Sequence, residues 1–380
     1  MLIYFIDSFS HMQGGRIKSF LEYITILVFA AAYLYFHIIN CIPLIVILGL
    51  AIGGWLVFRP SEWTVEGISG LARALKLSHY FAGVLISLAS NLPELIMLSL
   101  TIWRGYALGS IEMIDVAVLT VLSSISFNLM LLGAVIIIGC RRIRGFIKVP
   151  REALHHEVEA IRFTVVVLLS IFALGTVDVL FSIKKASNID LFYIPREASA
   201  LLVVSYMVYL IFMGKGGREE SHEHREKEKL RYLAMFIAGI IGIFVGSELL
   251  VRSVELIIGE SVIEHLGNPV ILSGLLMGAL AAIPEHGIAI MLAGRGMINV
   301  SLGNLIGSVS QIVLLVLGLV GTVMPIPLDE YVLFQLVVTA LCMWSLKRSI
   351  VDDGKLDLIE GSMLVIVQLF VIILLLRGVI

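Results

Sequence analysis

Apolar runs about as long as a bilayer is thick recur along this chain, and no other feature restricts its fold so sharply. A helix that crosses a hydrocarbon core needs about 20 apolar residues. Such runs fall near 19–38, 40–58, 80–103, 113–139, 160–182, 195–213, 232–258, 270–293, 298–321, 328–346 and 358–377. Backbone polar groups in lipid must be satisfied internally, and runs of this length achieve that as helices. The expected fold is therefore all-α: a polytopic membrane protein of 11 spans, one leading helix plus ten. The runs 40–58 and 232–258 should continue as helix beyond their apolar stretches. Composition agrees, because 59% of the 380 residues are hydrophobic and only 15% charged. With a mean hydropathy of +1.02, the chain has too few polar groups to cover a surface in water.

Charge says where the loops lie. Most of the 27 Lys and Arg, including Arg141, Arg142, Arg144, Lys148, Arg151, Lys227, Lys229 and Arg231, fall on one side if the N-terminus is cytoplasmic. Arg104, Lys184, Lys185, Arg196 and Arg377 fall on the other. This asymmetry satisfies the positive-inside rule and, with an odd number of spans, places the C-terminus outside. The net charge of -2 says nothing about partners. No basic tract suggests nucleic acid, so none is expected, and oligomeric state stays open. Cys41, Cys140 and Cys342 are scattered through apolar sequence, with no disulfide or zinc spacing, so packing roles are expected. The first apolar run, after Arg16 and Lys18, is too long for a signal peptide and lacks a small-residue cleavage site; it reads as an uncleaved span.

The stretch GKGGREESHEHREKEKLR, 214–231, is a charged linker between five helices and five. It divides the chain into a leading helix (1–39), a first repeat (40–213), the linker itself and a second repeat (232–380). Its His222 and His224, and the HHEVE stretch at 155–159, read as solvated or interfacial charge. The two halves echo each other. Gly83 precedes Glu94 by the same 11 residues that separate Gly274 from Glu285. SEW at 61–63 answers SEL at 247–249, VLSSISFNLMLLG (121–133) answers LIGSVSQIVLLVLG (305–318), and IPREA (194–198) answers LIEGS (358–362). An odd number of helices per copy turns the second copy upside down. Inverted repeats of this kind are a secondary-transporter architecture, with the site at the midplane where the copies meet.

Each half carries Pro-Glu within an oily run: LASNLPELIML at 88–98 and LAAIPEHGIAI at 280–290. A proline inside a helix removes one N–H and frees the carbonyl four residues earlier, here that of Ala89 for Pro93 and of Leu280 for Pro284. Each motif is thus expected to break its helix, setting a bare carbonyl beside a carboxylate. Glu94 comes about 15 residues into its span, roughly 22 Å at 1.5 Å per residue, and Glu285 is placed alike in a helix running the other way. An ionisable residue at that depth marks a functional site. Asn91, Ser124 with Asn128, and Ser308 with Gln311 have the spacing to share its face. Carboxylates, carbonyls and amides together suit a hard cation such as calcium. Glu62 and Glu248 hold equivalent repeat positions toward opposite mouths of the pathway, suiting access or proton exchange, and His286 suits a proton relay.

The paired motifs resemble the alpha repeats of the calcium/cation antiporter superfamily, the sodium/calcium exchanger-like membrane proteins, over about residues 40–380. SNLPEL is similar to the first-repeat motif of both the sodium-coupled and the proton-coupled branches, and GNLIGS (303–308) to the sodium/calcium form. PEHGIAI (284–290), GSVSQI (307–312) and the extra leading helix resemble the calcium/proton branch. Ala281 and Ala282 stand where sodium/calcium exchangers place Thr and Ser, and Val309 and Ile312 where they place polar or acidic residues. Ser123 stands where glycine is usual. The resemblance therefore implies an antiporter exchanging Ca2+, or a related divalent cation, for H+ by alternating access, with no cofactor. Two buried carboxylates would take either protons or the metal, because burial and mutual repulsion disfavour a charged pair. Sodium/calcium exchange is the alternative. A channel is disfavoured by the repeat architecture, and a membrane-embedded enzyme has no nucleophile elbow, HExxH or phosphate loop to support it.

Overall fold

The computed structural model describes residues 15–75, 79–149, 155–182, 193–213, 226–260, 267–294, 296–323, 326–328, 330–352 and 354–377. Helices dominate. In chain order they are α1 (Gly15–Ile38), α2 (Ile42–Ala74), α3 (His79–Ser90), α4 (Leu92–Leu108), α5 (Ile111–Ile143), α6 (His155–Ser182) and α7 (Arg196–Met213). The second half supplies α8 (Glu226–Gly259), α9 (Pro269–Gly294), α10 (Ile298–Gln311), a π-helical turn (Ile312–Val316), α11 (Leu317–Val323), α12 (Glu330–Asp352) and α13 (Leu358–Leu376). Every expected apolar run falls on one of these helices or on a consecutive pair. As anticipated, α2 and α8 extend well beyond their apolar stretches. Among the described residues, eight helices are long and apolar enough to cross a membrane on their own. Linker residues 214–225, with His222 and His224, lie outside the described residues; 226–231 form the first turns of α8.

Four two-residue strands join the halves. β1 (Ile147–Lys148) follows α5 and β2 (Tyr193–Ile194) precedes α7, while β3 (Ile326–Pro327) follows α11 and β4 (Lys355–Leu356) precedes α13. β1 pairs antiparallel with β4, and β2 with β3. The core centres on α5, whose face from Met113 to Cys140 is almost entirely buried and packs against α9 and α13. Cys140 and Cys342 are buried and unbridged, as their packing role requires.

The two Pro-Glu motifs behave differently. The first ends α3 at Ser90 and starts α4 at Leu92, with Pro93 in the opening turn where its missing N–H costs least. The second does not break its helix: α9 runs through Pro284 without interruption. That corrects the expectation of two breaks, and the local residues explain it. Two positions before Pro93 stands Asn91, whose amide donates to the Ser87 carbonyl at 3.2 Å and competes with the helical ladder. The matching residue before Pro284 is Ala282, the strongest helix former and without a competing group.

Helices α2 and α8 cross at backbone distance. A Cβ on Gly67 would lie 2.6 Å from the Phe236 backbone nitrogen, and one on Gly239 would lie 2.7 Å from the Pro60 carbonyl oxygen. Small residues permit this approach, and close packing drives helix association where lipid offers no hydrophobic contrast. Gly67→Ala should therefore lower the thermal unfolding temperature in detergent, at an overpacking cost of about 1–3 kcal/mol. Gly307→Ala, at a site with nothing within 4 Å of the added carbon, should leave it unchanged or raise it, a gain of up to about 1 kcal/mol from helix propensity.

Candidate ion-binding site

The break between α3 and α4 places Glu94 in the first turn of α4, buried. The unbroken α9 carries Glu285, which is fully buried, and each glutamate lies within electrostatic reach of the other. Helix α5 serves both. Ser124 donates to Glu94 Oε1. One turn later, Asn128 Nδ2 donates to Glu285 Oε2 at 2.8 Å. The Gly278 position lets α9 approach this stretch closely, since a Cβ there would meet the Ser124 backbone nitrogen at 2.9 Å.

Helix α10 closes the other side. Ser308 donates to Glu285 Oε2 and lies 3.4 Å from Asn91 Oδ1. Asn91 Nδ2 donates to Gln311 Oε1, and Gln311 Nε2 donates to Ser87 Oγ at 2.6 Å. Hydrogen bonds thus link Asn91, Asn128, Glu285, Ser308 and Gln311 into one buried network, and Glu94 with Ser124 into a pair beside it; these are the seven side chains nominated as cation ligands. Ser87 is the member that sequence reading missed. Its signal was present: it stands one helical turn before Asn91. The π-helical turn that starts directly after Gln311 was equally unforeseen, and such turns are frequent at functional sites.

The network is short of donors. Glu94 Oε2, Glu285 Oε1 and Asn128 Oδ1 are buried without a protein partner. Among the described residues neither carboxylate is paired with Lys or Arg. There is also no cluster of three or more His, Cys, Asp or Glu among them, and the unpartnered atoms of Glu94, Glu285 and Asn128 are all oxygens. The carbonyls of Ala89 and Leu280, on the turns before the prolines, lack the amide partner that Pro93 and Pro284 cannot supply. Oxygen-only surroundings of this kind suit a hard cation or protons, and suit a soft metal poorly.

The remaining nominated residues lie apart from the pair. Glu62 is bound by Arg59, whose guanidinium also holds Glu22 of α1 at 3.0 Å, while Trp55 Nε1 donates to Glu22 at 2.7 Å. Glu248 is bound by Arg104 of α4 and by Arg252 at 2.8 Å. Both acids are therefore ion-paired. The signals were Arg59, three residues before Glu62, and Arg252, four after Glu248. His286 follows Glu285, so it faces another side of α9. Its Nε2 is buried without a partner.

The sequence matches the sodium/calcium exchanger protein family over residues 44–215 and 231–377. The chain belongs to this family. It is an integral, multi-pass membrane protein and a transporter. Relatives include a Ca(2+)/H(+) antiporter of Aphanothece halophytica, 24% identical over 317 residues that cover 77% of this chain and 80% of that protein. Among solved structures, an H+/Ca2+ exchanger superposes with a TM-score of 0.70 at 15% identity, covering 95% of this chain and 92% of that one. A sodium-calcium exchanger superposes with a TM-score of 0.58 at 20% identity, covering 86% and 99%. These two likenesses establish the exchanger fold.

Asn128 links the two sides of the site, through Glu285 and, at 3.3 Å, Ser308. Asn128→Leu takes one of its two donors from Glu285 Oε2 and should destabilise the cation-free protein by about 1–3 kcal/mol. Thermal unfolding in detergent measures this; an unchanged midpoint would remove that amide from the network.

Proposed function

We propose that the chain is a secondary antiporter exchanging Ca2+, or a similar divalent cation, for protons. The observation that carries this reading is a buried pair of carboxylates, each with one oxygen left over and, among the described residues, no basic side chain to neutralise it. In a low-dielectric interior such a pair needs positive charge from elsewhere. Protons supply it when the metal is absent, and a divalent cation supplies it when the protons leave. The two occupants exclude each other, so their transport is coupled without any further device. Glu94 and Glu285 are the shared ligands. Asn91, Asn128 and Gln311 supply amide oxygens, Ser124 and Ser308 supply hydroxyls, and the Ala89 and Leu280 carbonyls complete the oxygen set. No cofactor is required.

Proton coupling also has support in the walls. Ala281, Ala282, Val309 and Ile312 are buried apolar side chains on the α9–α10 side, where a sodium site would need hydroxyls and amides. The relative from Aphanothece halophytica bears a Ca(2+)/H(+) antiporter name, which agrees with this reading. His286, next to Glu285 in the chain but on another side of α9, has an unpartnered ring nitrogen and is the proposed proton relay. Glu62 and Glu248, held by arginines, are proposed to guard the access routes.

We further infer an inverted pair of five-helix repeats, 40–213 and 232–380, after one leading helix. Element order supports it: α2 through α7 and α8 through α13 share one sequence of long helix, Pro-Glu segment, serine-bearing segment and two more helices. Strand pairing adds a topological argument. In each half one short strand follows the serine-bearing segment and another precedes the last helix, and each pairs with the opposite kind in the other half. Copies related by inversion bring those unlike strands to the same membrane side. With α1, the α3–α4 pair and α7 counted alongside the eight longer helices, the total is 11 spans. The basic loops then face the cytoplasm with the N-terminus, and the C-terminus lies outside.

The test is calcium uptake into vesicles containing the purified protein, under an imposed proton gradient and separately under an imposed sodium gradient. The proton gradient should drive uptake and the sodium gradient should not. Glu94→Gln and Glu285→Gln should each reduce it to the protein-free background while the protein remains folded. Uptake driven by sodium alone would overturn the proton assignment, and full activity in either variant would remove that glutamate from the site.

A further inference from the structure

Where α5 ends, a groove of about 590 Å³ opens between the β1 segment and the turn joining α9 to α10. Its floor is apolar: Ile143, Phe146, Ile147, Met297, Ile298 and Val300 line it, with Lys148 and Asn299 among the polar contributors. Several of these apolar side chains are exposed, Ile143 at 54% and Phe146 at 40%. The groove therefore lies open at the polar end of a membrane-spanning helix.

Its rim is cationic. In the β1–β4 ladder Lys148 sits directly opposite Lys355, and like charges in that position repel. The Lys355 ammonium rests 4.5 Å from the centre of the Phe146 ring. Arg142 donates to the Ala293 and Gly294 carbonyls at 3.3 and 3.0 Å, capping α9, and its guanidinium lies against Gly296. Among the described residues neither lysine nor Arg142 has a carboxylate partner. The neighbouring acids Asp357 and Glu360 are engaged in the capping box of α13. The Asn299 Oδ1 is buried without a partner, so it can accept from a hydroxyl.

An apolar trough at the end of a spanning helix, rimmed by unpaired cations, matches one molecule that a bilayer always supplies. We propose that this groove binds an anionic phospholipid of the leaflet on the basic side. One acyl chain lies along the Phe146–Ile298 floor, and the phosphodiester is held between Lys148, Lys355 and Arg142. The lipid would relieve the repulsion between the facing lysines and brace β1 against β4, the contact that joins the two halves at this end. Basic pockets between spanning helices recognise anionic headgroups in this way.

The experiment uses the purified full chain in detergent, with added phosphatidylglycerol, phosphatidylcholine, inorganic phosphate or glycerol 3-phosphate. Thermal unfolding and lipid retained on the protein, measured by native mass spectrometry, are the readouts. Phosphatidylglycerol should raise the unfolding midpoint and be retained; phosphatidylcholine and the two soluble anions should do neither. In Lys148→Gln/Lys355→Gln, whose parent side chains are exposed, phosphatidylglycerol affinity should fall on the order of tenfold. In Lys229→Gln/Arg231→Gln, which removes the same charge elsewhere, it should persist. Equal retention in the first variant, or no preference over phosphatidylcholine, would overturn the proposal. An equal shift from either soluble anion would assign the site to a free phosphate instead. If the double variant fails to fold, Lys148→Gln alone carries the same comparison.

Discussion

Two carboxylates buried together in a membrane protein, with no basic side chain among the described residues to answer them, set the terms for everything else in this structure. Charged and alone they would be prohibitively costly in such surroundings, so the pair is tolerable only with protons or a cation in place. The fold converts that cost into a choice between occupants. Helix α5 stands between them and gives a donor to each, Ser124 to Glu94 and Asn128 to Glu285. Small residues at the helix crossings then bring α9 and α5 close enough for the arrangement to be shared.

The site is pseudo-symmetric in its carboxylates and asymmetric in their support. Each glutamate accepts from a serine on the serine-bearing segment that follows it, Ser124 or Ser308. Beyond that the halves diverge. Glu285 takes a second donor from Asn128, while Glu94 has none further among the described residues. The broken helix lies on the Glu94 side, where Asn91 turns the chain and reaches Gln311. The continuous helix lies on the Glu285 side. One half thus holds its carboxylate rigidly and the other places its carboxylate at a hinge-like turn, an arrangement suited to a site that must reorganise between occupants.

Much of this was legible in the sequence for a physical reason. Apolar length and the cost of burying charge operate on the chain before any tertiary detail, so the apolar helices and the seven polar residues around the two carboxylates could be read directly. What escaped depended on side chains meeting across elements. The second Pro-Glu looked like a break because proline was weighed alone, whereas Ala282 in place of an asparagine keeps α9 helical. The ion pair between Glu248 and Arg104 was not legible because Arg104 comes from a distant segment. Ser87 entered the network through Gln311, a contact more than two hundred residues away in sequence. The strand pairs β1–β4 and β2–β3 are too short to leave any periodic trace.

Mutual exclusion at the glutamate pair is most directly tested by counting protons as calcium binds. Purified protein in weakly buffered detergent solution, titrated with Ca2+ while pH is followed, should release protons in step with binding, approaching two for each cation bound at the pair. The release should be lost when both glutamates are replaced by glutamine. Saturable calcium binding with no proton release at any pH would contradict the account.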